Sequence, residues 1–247
     1  MKPLTSILIT ALSLALMSST STSVEKTKTF AVVELFTAEG CSSCPAADEL
    51  LKEMTELLQK EGKEVFSLAF HVTYWNNLGW LDPYSQEAFT ARQKAYVEKL
   101  KFQQLYTPQC VVNGQKEFIG SNPIGFRNEV GAALQANPVY GIEAEVKKEG
   151  EDLVINYELS SEPKNILMNI VIFENEVTHQ VLRGENKNRT LKHYHVVKSL
   201  KTISPLHKGT TSAHWPEDLI PEKGGVILYI QHIKSMRITG ATQLKLN

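Results

Sequence analysis

The nine residues Thr37-Ala38-Glu39-Gly40-Cys41-Ser42-Ser43-Cys44-Pro45 constrain this chain more than any other stretch, because of what stands on either side of them. Phe30 to Phe36 is a short apolar run containing Ala31, Val32, Val33 and Leu35, and it reads as a buried strand. Gly40 can supply a turn with positive φ, and Pro45 suits a first helical turn, where its missing N–H has no intrahelical partner to lose. Beyond it Ala46, Ala47, Leu50, Leu51, Met54, Leu57 and Leu58 recur at helical spacing, while Asp48, Glu49, Lys52, Glu53, Glu56 and Lys60 take the other side. The stretch predicts a strand, a tight turn and a packed helix with two cysteines at its mouth.

That placement suits thiol chemistry. Free N–H groups and the dipole at a helix start stabilise a thiolate, so Cys41 is expected to have a lowered pKa and to be the attacking sulfur. Cys44, further in and more buried, is the expected resolving thiol. Two other readings of the pair stay open. One is a structural disulfide, kept for stability alone; the other is half of a split metal site, for which the pair supplies two ligands and no second pair exists.

Glu64 to Phe70 is a second apolar run, preceded by Gly62 and ended by His71. Two such strands joined by one helix form a β-α-β unit with a right-handed crossover, so His71 should reach the same sheet edge as Cys41. The segment Val72 to Pro83 holds Trp75 and Trp80, which either cap that edge and shape a substrate groove or anchor a long ordered loop. Ser85 offers an N-cap to a helix running to about Gln104. Thr107-Pro108 precedes a β-rich run, Asn113-Gly114 is a hairpin signal, and Asn122 or Pro123 opens a last helix. The order is β-α-β-α-β-β-α.

That order, with Cys41-Ser42-Ser43-Cys44 after the first strand and Thr107-Pro108 before the hairpin, resembles the thioredoxin fold. The resemblance implies a cis bond at Pro108, facing the cysteines, with Thr107 beside it receiving an extended substrate. More closely, Val33 to Asp48, His71-Val72-Thr73-Tyr74-Trp75 with Gly79-Trp80 and Asp82-Pro83, and Tyr106-Thr107-Pro108-Gln109 with Val111-Val112-Asn113-Gly114 are similar to a family of secreted bacterial proteins, domain of unknown function 1223. Arg183-Gly184-Glu185-Asn186 and His193 to Val197 extend the similarity toward the C-terminus. The family implies a thioredoxin-like domain followed by a β-rich domain, and no substrate. Cys110 stands where the family pattern leads one to expect an apolar residue.

After Pro138 the pattern changes to alternation and short apolar runs: Val139 to Val146, Leu153 to Leu159, Ile166 to Phe173, Val177 to Leu182, Thr190 to Val197, Gly225 to Ile233 and Ile238 to Leu246. The expected fold is α+β, a thioredoxin-like α/β domain over 24–137 followed by an antiparallel, sandwich-like β-rich domain over 138–247. The junction lacks a Gly/Ser-rich linker, so the two should form one body, the second adding a wall beside Cys41. His193 and His195, two apart, should share one strand face, but no acidic or thiol partner stands at an obvious spacing. No metal and no cofactor is expected.

Lys2, the apolar run Ile7 to Met17 and the small residues Ser18 to Ser23 predict a cleaved signal over residues 1–23, and hence a secreted or periplasmic protein with no membrane span after cleavage. An uncleaved anchor is the alternative. A formal net charge of -1 gives no footprint for a nucleic-acid partner. The expected function is an exported thiol-disulfide oxidoreductase acting on protein or small-molecule thiols and disulfides. Cys41 and Cys44 react, Thr107 and Pro108 hold substrate, His71 steadies the thiolate or shuttles a proton, and Trp75 and Trp80 line the groove. The alternative is a binding module with a structural Cys41–Cys44 disulfide.

Overall fold

The computed structural model describes residues 28–102, 104–244 and 246; the expected signal segment lies outside them. All eight residues of β1 (Phe30–Thr37) are buried, so this strand is covered on both faces and shows no alternation. Helix α1 (Cys44–Lys60) carries the chain to β2 (Glu64–His71), which pairs parallel to β1 from Phe30↔Glu64 to Thr37↔His71. Asp48, expected on the solvent side of α1, is instead 1% exposed. Its position four residues after Cys44 puts it on the inward face of the helix.

Helix α2 (Glu87–Leu100) starts after Gln86, not at a Ser85 cap; the Ser85 hydroxyl donates instead to the Asp82 carbonyl at 2.8 Å. It also stops short of Gln104, at Lys101, which takes a left-handed φ of 56°. Strands β3 (Gln109–Val112) and β4 (Lys116–Ile119) form the expected hairpin. Asn113 and Gly114, the central residues of the turn closed by the Gln115 N–H on the Val112 carbonyl, both have positive φ, 45° and 63°, and the loop between paired Val112 and Lys116 is three residues long. Gly114 has a second reason to be glycine, since a Cβ there would stand 2.0 Å from the Met236 carbonyl oxygen. Helix α3 (Pro123–Ala133) is capped by the Asn122 side chain, which accepts from the N–H groups of Ile124 and Gly125.

The second half contributes β5 (Ile142–Glu149), β6 (Asp152–Leu159), β7 (Ile166–Gln180), β8 (Thr190–Ile203), β9 (Lys208–His214), β10 (Gly224–His232) and β11 (Ile238–Leu244). The result is α+β with two sheets, an eight-stranded one in the order β11-β10-β7-β8-β2-β1-β3-β4 and a three-stranded one, β5-β6-β9. Leu153 and Ile155 of the small sheet share a core with Met168, Ile170, Val226 and Leu228 of the large one. This is the expected sandwich with a difference: its larger layer continues into the sheet of the first half. Strand β2 has β1 on one side only, and β8 meets its other edge parallel, with Ala69 opposite Val196.

A buried polar group ties the halves together. Glu34 on β1, 0% exposed, receives a bidentate pair from Arg92 on α2, with Nε to Oε1 at 2.8 Å and a second guanidinium nitrogen to Oε2 at 3.1 Å. Tyr96 also donates to Glu34, Tyr229 of β10 does so at 3.3 Å, and Gln231 of β10 accepts from Arg92 at 3.2 Å and donates to Tyr96 at 3.0 Å. Every side-chain polar atom of this group is occupied.

Candidate redox site

Cys41 and Cys44 form a disulfide at the start of α1, with Cα atoms 5.4 Å apart. A turn sets it: the Cys41 N–H donates to the Ala38 carbonyl and the Cys44 N–H to the Cys41 carbonyl, both at 3.2 Å. Gly40 does not take the expected positive φ; the close approach of Trp75 is what a side chain there would meet. The two cysteines are equally buried, 1% exposed each, so the expected contrast between an open Cys41 and a covered Cys44 is absent.

Part of the cover is the connection between β7 and β8, residues 181–189. Asn186, 0% exposed, donates from its amide to the carbonyls of Glu39 at 2.8 Å and Cys41 at 2.9 Å. Arg189 holds the Asn186 oxygen at 2.6 Å, and Glu185 accepts from the Ser42 N–H at 2.9 Å. The second half of the chain thus closes over the cysteine turn. Arg183 to Asn186 stood in the family resemblance, yet only the fold reveals that these residues reach across.

Of the residues singled out in the sequence, Trp75, Thr107 and Pro108 come together at this turn. Trp75 packs beside Gly40, where a Cβ would lie 3.3 Å from the Trp75 Cβ, and its Nε1 donates to the Thr107 hydroxyl at 2.7 Å. The Thr107–Pro108 bond is cis. Pro108 and Ala47 of α1 both lie 3.1 Å from where Gly120 would carry a Cβ, which places the proline against the first turns of α1. Trp80 and His71 belong to a different neighbourhood: Trp80 Nε1 donates to Glu39 Oε2 at 2.7 Å, and His71 Nδ1 donates to Asp82 Oδ2 at 2.7 Å. Among the described contacts no hydrogen bond joins His71 to either cysteine.

That neighbourhood is a buried cluster of carboxylates and imidazoles at the carboxyl ends of β1 and β2. Glu39, Asp48 and Asp82 are 0%, 1% and 3% exposed, and His71 and His193 are 0% and 1%. Asp82 also takes the N–H groups of Glu39 at 2.8 Å and Tyr84 at 2.9 Å; His179 Nδ1 donates to Glu39 at 2.8 Å. His193 Nδ1 stands 3.3 Å from Asp48 Oδ1 and its Nε2 3.4 Å from Glu39 Oε1. Those two contacts are close enough for attraction, but neither has hydrogen-bond geometry, and Asp48 Oδ1, His71 Nε2 and both nitrogens of His193 have no hydrogen-bond partner.

Burial works against charge here and the partners overcome it. Burial pushes the Glu39 carboxyl up, but His193, Trp80 and His179 hold it below the usual range despite the Asp82 charge nearby. For Asp82 burial is likewise outweighed, by the charge and hydrogen bond of His71 and by two backbone N–H groups, leaving it at about 2. Burial lowers His193, yet the charges of Asp48 and Glu39 raise it to about 10. His195 behaves in the opposite way, buried without a carboxylate and pushed down to about 4. The two histidines do not share a site: His195 takes a φ of 50°, leaves the extended backbone on which period-two alternation depends, and bonds Ser67 at 2.6 Å.

Fold and site define an α+β protein with a two-cysteine disulfide at a helix start, roofed by its own C-terminal half. The chain belongs to the family described as protein of unknown function (DUF1223), whose model matches residues 32–231. It is similar to the solved structure of protein AGR_C_4864 from Agrobacterium tumefaciens, at 27% identity over 87% of this chain and 93% of that one, with a TM-score of 0.67. A domain of the outer membrane lipoprotein Omp28 from Porphyromonas gingivalis matches 44% of this chain and 88% of its own at 8% identity and a TM-score of 0.31, too loosely to bear on the fold. No curated protein matches the chain. Among the described residues no helix is long and apolar enough to cross a membrane.

Proposed function

We propose that the chain is an exported thiol-disulfide oxidoreductase of thioredoxin-like fold, in which Cys41 and Cys44 cycle between disulfide and dithiol. The observation that carries this is the position of the Cys41–Cys44 disulfide, at the start of α1 and beside the Thr107–Pro108 loop that Trp75 ties to the same turn. In the dithiol form the Cys41 thiolate attacks a substrate disulfide, expelling one substrate thiolate and forming a mixed disulfide. The Cys44 thiolate then attacks the Cys41 sulfur and expels the second, so the substrate gains two electrons and the protein pair loses them. Oxidation of a substrate dithiol is the same sequence in reverse. Thr107 and Pro108 present backbone to an extended substrate, and Trp75 forms a wall of the groove.

Burial of both cysteines favours a second reading, a binding module in which the disulfide is structural. The oxidoreductase reading requires the 181–189 connection to swing away before a substrate enters. Equilibration of the purified chain with glutathione buffers separates the two readings. A potential between about -270 and -120 mV is expected of an exchange catalyst, and one below about -300 mV makes the disulfide structural.

A further inference from the structure

Eight buried side-chain polar atoms in the described chain lack a hydrogen-bond partner, and four of them belong to Asp48, His71 and His193. Unpartnered buried polar atoms are costly, and three of these four, Asp48 Oδ1, His71 Nε2 and His193 Nδ1, can be satisfied by one ligand. Asp48 and His71 each have an atom turned toward the others and a second atom held from behind. Asp48 turns Oδ1 inward while Oδ2 accepts from the Thr37 hydroxyl at 3.1 Å. His71 turns Nε2 inward while Nδ1 donates to Asp82. His193 has Nδ1 toward Asp48 and Nε2 toward Glu39.

An imidazole backed by a carboxylate on its far nitrogen is the arrangement that orients histidine toward a metal, because it fixes which nitrogen keeps its lone pair. The geometry points to a divalent transition-metal site, of zinc type, made by Asp48 Oδ1, His71 Nε2 and His193 Nδ1, with Asp82 orienting the His71 imidazole and Glu39 standing 3.4 Å from the far nitrogen of His193. The three residues offer ligand atoms within 4.8 Å of one another. Tetrahedral ligands about 2.0–2.1 Å from zinc stand roughly 3.4 Å apart, a difference that small side-chain rotations close. The surroundings agree with this. Glu39, Asp48 and Asp82 are buried together, and among the described residues their ion-pair partners are all histidines. A divalent cation would sit among three buried carboxylates. Three protein ligands leave a fourth position for water or another small ligand, and the set of two imidazoles and one carboxylate is borderline in softness, suited to zinc and its neighbours and unsuited to calcium or magnesium.

The test is zinc binding by the full chain with the disulfide intact, so that Cys41 and Cys44 cannot take the metal. After chelator treatment, titration against a chromophoric competitor is expected to show one zinc per chain, taken up well below about 1 µM. Asp82→Asn should weaken binding by about 10–100-fold, His193→Gln by more, and His214→Gln on the exposed surface not at all. If the cluster variants fail to fold, the wild type still decides the matter. X-ray absorption of the zinc form must count two imidazoles, and the cobalt form must show four-coordinate ligand-field bands. No uptake at about 10 µM zinc, or bound metal with fewer than two imidazoles, overturns the site. The disulfide potential is read separately, so the redox proposal can fail without this one.

Discussion

The two buried polar clusters around β1 have similar ingredients and opposite states. Glu34 and Arg92 sit within a ring of Tyr96, Tyr229 and Gln231 in which every side-chain polar atom is partnered; a few residues along, Glu39, Asp48, His71 and His193 leave four atoms unpartnered. Both bring the N-terminal half against the C-terminal half. The saturated group contributes specificity and rigidity, because its donors and acceptors match only when β10 is docked. The unsaturated group is also buried, but four of its polar atoms have no hydrogen-bond partner, as expected of a place that awaits something.

The largest effect should come from breaking the saturated cluster. Arg92→Leu leaves Glu34 buried with only phenolic donors, and we expect a loss of about 3–5 kcal/mol in chemical denaturation. A loss under about 1 kcal/mol would mean that the ring does not hold the halves together. Asn186→Ala sharpens the contrast from the other side. It removes the amide that closes the C-terminal half over the cysteine turn, at a stability cost of about 1–2 kcal/mol. Reduction of the disulfide by a small thiol should then accelerate by about tenfold, as each 1.4 kcal/mol of lost closure permits. If the rate does not move, the 181–189 connection is not what limits access.

The smallest effect is expected at Cys110, which belongs to neither cluster. It lies in the apolar core with Leu35 and Phe118, and burial, with the charge of Asp48 adding, pushes its thiol well above the usual range. Alkylation of the folded chain at pH 8 should leave Cys110 unmodified, and labelling should appear only in denaturant. Rapid labelling under native conditions would show that the core around Asp48 opens, and with it the wall of the unsaturated cluster.

What could be seen in the sequence was local. β1, the helix entered through Cys44-Pro45, the Asn113-Gly114 turn and the Asn122 cap each announce themselves within a few residues, and the structure has all four. Two strands read from Ile166 to Leu182 are one, β7, because polar Glu174 to Glu176 pair with β8 instead of turning. β9 was missed altogether: Lys208 to His214 is small and polar, lies in the small sheet beside β6 and has only Ala213 in the core. In the site, the cysteines, Trp75 and the Thr107–Pro108 loop were legible because each stands in a short motif. Glu39 stands inside the quoted motif with no role of its own, and Asp48 counts among the charges on the far side of the helix. Their partner His193 comes from the distant β8, and no spacing rule reaches that far.

The parallel contact between β2 and β8 has a consequence for how the chain is born. Ala69 waits for Val196, 127 residues later in the sequence. At about 5–20 residues per second that is roughly 6–25 s during which β2, apolar from Val65 to Phe70 but for Ser67, has no partner on one side. An open strand edge is a template for other chains. Whatever escorts this polypeptide from the ribosome must therefore shield that edge until β8 arrives.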